Sequence, residues 1–93
     1  MDKFVVVFTM DGCPYCVMMK DQLNEQSIDF VELDIDKNEE EYELFKKITN
    51  NEFVPSFMIY EKVGGKHVPS FYCPERDFNE ITEGVEIIKK RLV

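Results

Sequence analysis

The chain has 93 residues, 44% of them hydrophobic and eight of them phenylalanine, enough apolar material to build the core of one small domain over residues 1–93. Eleven basic against nineteen acidic residues leave a formal charge of −8, which argues against nucleic acid or an anionic membrane surface as a partner. The longest unbroken apolar run, Phe4 to Phe8, is too short for a membrane span or a signal-peptide core, so the expected location is the cytoplasm, with the mature chain starting at Met1.

In chain order, Phe4-Val5-Val6-Val7-Phe8 reads as a short buried strand and Thr9 to Gly12 as a loop. Pro14 stands where a helix has its first turn, and Val17, Met18, Met19 and Leu23 carry apolar weight to about Gln26. A β-rich run follows over Ile28, Phe30, Val31, Leu33 and Ile35, alternating in its later half with Glu32, Asp34 and Asp36 on a face expected to meet solvent. Asn38 with Glu41 predicts a capped helix start, and Tyr42, Phe45 and Ile48 recur at helical spacing until Asn50-Asn51. Ser56 to Glu61 reads as a strand, residues 62–66 as a turn and His67 to Phe71 as the returning strand, with Pro69 marking a sheet edge. Asp77 with Glu80 predicts a second capping pair, followed by an apolar stripe of Phe78, Ile81, Val85, Ile88 and Leu92. The order β-α-β-α-β-β-α implies an α/β, thioredoxin-like architecture: a four-stranded mixed sheet flanked by three helices.

Cys13-Pro14-Tyr15-Cys16 carries the chemistry. Two thiols three positions apart, just after a buried strand and at the start of a helix, suit an exchangeable disulfide. An odd total of three cysteines suits a reducing compartment, where thiols stay free unless they are working. At the helix start, Cys13 meets unpaired backbone N–H groups and the positive end of the helix dipole, which favour thiolate over thiol. The gain is in leaving rather than in attack: a more acidic thiol is more often ionised but less nucleophilic, whereas it departs more readily from a mixed disulfide. Cys13 is therefore the expected nucleophile and Cys16, one turn into the helix, the resolving thiol. Pro14 stiffens the turn between the sulfurs. Tyr15 is either a flat contact for substrate or an ordinary surface aromatic, and Lys20 either supports a thiolate or solvates its helix face.

Phe8-Thr9, the CPYC motif, Lys20 and Leu23, the run Val31 to Asp36, and Val54-Pro55 together resemble a glutaredoxin of the dithiol type. The likeness covers roughly the first sixty residues. It implies a glutathione-dependent disulfide oxidoreductase acting on protein or glutathione mixed disulfides, with glutathione as reducing co-substrate, no bound cofactor, no metal, and a monomer as the working state. It also implies that Pro55 is the cis-proline facing the cysteines and that the backbone of Val54 pairs with a peptide-like substrate. By the same likeness, Asp77 at the start of the last helix meets the amino group of glutathione.

The chain departs from the family pattern at three places. Met10 stands where a lysine is usual, Phe53 where a threonine is usual, and Pro69-Ser70 where a Gly-Gly pair is usual, with Phe71 to Arg76 reading as a local insertion. Lys46, Lys47, Asn51 and Arg76 are replacement polar anchors or solvated surface residues. Two other readings stay open: a thioredoxin-like electron donor recycled by a reductase, and a metal- or iron–sulfur-binding module. For the latter, Cys13, Cys16, His67 and Cys73 supply zinc ligand types at a spacing unlike a compact zinc site.

Overall fold

A computed structural model describes residues 2–93. Seven elements follow one another: β1 (Lys3–Thr9), α1 (Pro14–Glu25), β2 (Val31–Asp34), α2 (Glu39–Thr49), β3 (Ser56–Val63), β4 (Lys66–Tyr72) and α3 (Ile81–Leu92). The strands form one sheet in the order β2-β1-β3-β4, with β1 and β2 parallel and the remaining pairs antiparallel. The expected element order and mixed sheet are both observed.

Alternation along the strands divides the core in two. Val5, Val7, Phe57 and Ile59 point to one face, where Met19 and Leu23 of α1 and Ile81, Val85 and Ile88 of α3 cover them. Val6, Phe8 and Met58 point to the other, beneath Tyr42 and Phe45 of α2. Both faces of the central pair β1 and β3 are therefore covered, which is why β1 reads as a continuous apolar run.

Several boundaries differ from the expectations, each for a local reason. The hairpin turn is only Gly64-Gly65, both at positive φ (+57° and +83°), so the strands extend through Val63 and from Lys66. Two consecutive left-handed residues give the twist of a tight hairpin, which glycine permits at little steric cost. In α2, Asn38 is the N-cap residue but its side chain donates to the Asp34 carbonyl at 3.0 Å instead of capping the helix. Glu39, Glu40 and Glu41 at this end and Lys46 and Lys47 at the other complement the helix dipole. The buried stripe is Tyr42, Phe45 and Thr49, leaving Ile48 exposed; the Thr49 hydroxyl is satisfied by the Phe45 carbonyl at 2.8 Å.

The last helix starts later than the Asp77–Glu80 pair predicts. Glu80 is its N-cap residue and forms a reciprocal capping box with Glu83. Asp77 lies in the preceding loop because its carboxylate accepts from the Cys73 N–H at 2.8 Å and from Arg76 at 2.9 Å. Phe78 is buried from that loop rather than from the helix, stacked on Phe57.

Candidate functional site

β1 ends at Thr9 and the chain turns through Gly12, at φ +76°, to bring Cys13 to the start of α1. The turn is tied by the Cys13 N–H to the Met10 carbonyl at 3.3 Å. Cys13 is the N-cap residue, with extended backbone, and Pro14 opens the first turn, where its missing N–H costs nothing. The side chain of Cys13 acts as the cap: the Cys16 N–H donates to Cys13 Sγ at 3.1 Å. No acidic residue occupies the first turn of α1, so no carboxylate there opposes a negative sulfur. Cys13 and Cys16 are joined in a disulfide with Cα atoms 5.2 Å apart. Both are buried, Cys16 more completely, at 1% exposed against 7%.

The Val54–Pro55 peptide is cis. Pro55 immediately precedes β3, whose first residue Ser56 pairs with Phe8 near the end of β1, so the proline lies beside the loop that carries the cysteines. A cleft of about 380 Å³ opens here, lined by Tyr15, Phe53, Val54, Pro55, Phe78 and Glu80 among others. Tyr15 and Phe53 stand out from it, 61% and 51% exposed. Asp77 does not line the cleft, and it does not sit at a helix start; at that end of α3, the carboxylate on the cleft wall is Glu80.

The residues read as replacement anchors are mostly engaged elsewhere. Lys46 pairs with Glu43 at 2.8 Å and lies over the Tyr42 ring, and Arg76 donates to Asp77 and to the Phe71 carbonyl. Lys46 and Lys47 line a second cleft on the far side of Phe53. Asn51 is a brace: its amide donates to the Pro74 carbonyl at 2.8 Å, and its side-chain oxygen accepts from the Phe53 N–H at 2.9 Å. One side chain thereby ties together the two loops that wall the cleft. No sequence signal pointed to that role.

Below the start of α1, Lys20 does more than solvate its helix. Its ammonium meets Glu32 Oε2 at 3.0 Å, and the buried Thr9 hydroxyl donates to the same oxygen at 2.7 Å. These two donors, Thr9 first, hold the Glu32 carboxyl below the ordinary glutamate range. Glu32 therefore does not simply face solvent.

Cys73 is fully buried beneath α2, and burial raises its thiol above the ordinary range. His67 lies near the start of β4, with its ring against Phe4. Cys13, Cys16, His67 and Cys73 are thus not gathered into one site, and among the described residues no group of three or more His, Cys, Asp and Glu side chains is placed to hold a metal ion. Among the same residues, no helix is long and apolar enough to cross a membrane.

Comparison with known proteins supplies a family. The glutaredoxin family model matches residues 5–68. The Gene 56 protein of Mycobacterium phage L5 is 39% identical over 51 residues, which is 55% of this chain and 50% of that protein, so the match spans about half of the relative's length. Among solved structures, a thioredoxin of Plasmodium falciparum superposes with a TM-score of 0.67 at 16% identity, covering 97% of this chain and 70% of the other. A glutaredoxin from Brucella melitensis superposes at 0.51 with 20% identity, covering 94% of this chain and 79% of the other. At these identities the structural likenesses establish a thioredoxin-like fold.

Proposed function

The chain belongs to the glutaredoxin family, and from that premise we propose that it is a glutathione-dependent thiol–disulfide oxidoreductase in which Cys13 is the nucleophile and Cys16 the resolving thiol. The observation that carries this reading is the Cys16 N–H aimed at Cys13 Sγ at 3.1 Å, at the N-terminus of α1. A backbone donor and the helix dipole together favour a negative sulfur at Cys13. Cys16 is closed off from solvent.

In the reduced protein, the Cys13 thiolate attacks one sulfur of a protein or glutathione mixed disulfide. The substrate S–S bond breaks, one half leaves as a thiolate that takes a proton from water, and the other half stays bonded to Cys13. Cys16, deprotonated, attacks the Cys13 sulfur of that mixed disulfide. The second half leaves as a thiol, two electrons have passed to the substrate, and the Cys13–Cys16 disulfide remains. Two glutathione thiols return it to the dithiol and depart as glutathione disulfide. No bound cofactor enters the cycle.

Tyr15, Val54 and Pro55 are the substrate-facing residues of this reading. The Val54 backbone pairs with an extended substrate segment, as one strand pairs with another, and Tyr15 offers its ring as a wall. Glu80 occupies the helix-start position expected of Asp77, whose carboxylate instead fixes the loop. The protein acts as a monomer in the cytoplasm. Steady-state turnover of a small glutathione mixed disulfide, with glutathione regenerated by its reductase, tests the proposal. Saturable turnover that disappears in Cys13→Ser supports it, whereas turnover only with a thioredoxin-type reductase assigns recycling to a reductase instead.

A further inference from the structure

The cleft beside the cysteines carries charge of one sign. Its charged lining residues are Glu75 and Glu80. Glu75 is held at φ +73°, with its N–H bonded to the Phe78 carbonyl at 2.8 Å, and it also lines the neighbouring cleft together with Lys47 and with Lys46, which is paired with Glu43. Glu80 is fixed by its capping box. The nearest cation in sequence, Arg76, is neutralised by Asp77 at 2.9 Å, and the loop leading to Cys13 presents exposed Met10 and Asp11. The whole chain adds a formal charge of −8. A substrate approaching Cys13 therefore meets an acidic wall in an acidic field, and two projecting rings, Tyr15 and Phe53.

Glutathione disulfide carries two carboxylates for every ammonium, so this field opposes it. An arginine or lysine side chain next to a disulfide-bonded cysteine is attracted by Glu75 and Glu80. It also finds two aromatic faces at hand for cation–π contact. We infer that the cleft selects cationic substrates: protein disulfides whose cysteine lies in an extended segment bearing arginine or lysine, with Glu75 and Glu80 as the specificity-determining charges. This inference rests on the oxidoreductase reading and adds the substrate class.

The test is single-turnover reduction by the pre-reduced protein, with no recycling thiol present. Two peptide disulfides are compared that differ only in their flanking residues, arginine in one and glutamate in the other, with glutathione disulfide as a third probe. Released peptide thiol measures the transfer: Cys13 displaces the first half and Cys16 the second. The expected second-order rate constant is about tenfold higher for the arginine peptide than for the glutamate peptide at low ionic strength. The ratio should shrink as salt is added. Glu75→Gln and Glu80→Gln, singly and together, should narrow the ratio, the glutamine at position 80 keeping a cap acceptor.

Equal rate constants for the two peptides, a preference for the glutamate peptide, or a ratio untouched by salt would overturn the inference while leaving the oxidoreductase reading standing. So would a ratio unchanged in the double variant. No thiol released from any of the three probes would overturn both.

Discussion

The Cys16 backbone N–H points at the Cys13 sulfur at 3.1 Å. That donor serves the thiol at the helix start, the one expected from the sequence to carry the charge. A Cys13 thiolate would meet an N–H already in place, whereas Cys16 lies deeper. The proposed division of labour has a direct kinetic consequence. Cys13→Ser removes all disulfide reductase activity. Cys16→Ser loses reduction of protein disulfides but still turns over glutathione mixed disulfides, since an external thiol can release the Cys13-bound half. Parallel assays of the two variants on the two substrates check this; equal loss of both activities in Cys16→Ser would count against it.

Cys73 should behave as a silent thiol. It is fully buried, and burial is the main cause of its raised pKa, with Asp77 adding to it. A thiol-reactive chromophore at neutral pH should label no cysteine rapidly in the native oxidised protein, and Cys13 rapidly after reduction. Cys73 should react only on unfolding. Fast labelling of Cys73 in the folded state would mean that the loop from Cys73 to Phe78 opens readily.

Asn51→Ala should affect binding more than chemistry. It removes the bonds to the Pro74 carbonyl and the Phe53 N–H, which fix both walls of the cleft. The expected outcome is a several-fold rise in KM with kcat kept within about twofold, and a stability loss of about 1 kcal/mol for the hydrogen bonds. Kinetics on a peptide disulfide and a urea melt measure the two effects separately. A loss confined to kcat would contradict the bracing role.

Acid should weaken the fold partly through Glu32. Because Thr9 and then Lys20 lower its pKa in the folded chain, its stabilising contribution is complete above the ordinary value of 4.5 and is lost as pH falls through the lowered one. The effect is modest, since the Glu32 side chain is 39% exposed and its ion pair is screened. Urea midpoints from neutral pH to about pH 3 should fall less steeply in Glu32→Gln than in the natural chain. Parallel slopes would show that the Thr9–Glu32–Lys20 network does not contribute.

The fold was legible wherever the local pattern and the tertiary packing agree. The apolar run at β1 matches burial on both faces, and the proline-led start of α1 matches its cap. Reading failed where a side chain chose between two local partners. Asn38 turned from its helix toward Asp34, and Asp77 was captured by the Cys73 N–H and Arg76, which moved the start of α3 to Ile81. The thiol pair and the proline before β3 stood out because their chemistry requires particular residue types at particular spacings. The bracing role of Asn51 and the places of Glu75 and Glu80 on the cleft wall did not, because they depend on how the loops at 50–55 and 73–80 fold against each other.

The central claim, that Cys13 is the attacking thiol, is tested most directly by trapping. Reduced Cys16→Ser protein is mixed with a peptide disulfide, and the adduct is mapped by mass spectrometry after digestion without reductant. A single peptide adduct on Cys13, lost in the Cys13→Ser and Cys16→Ser double variant, is the predicted result. An adduct on Cys73, or an adduct that survives in the double variant, would contradict it.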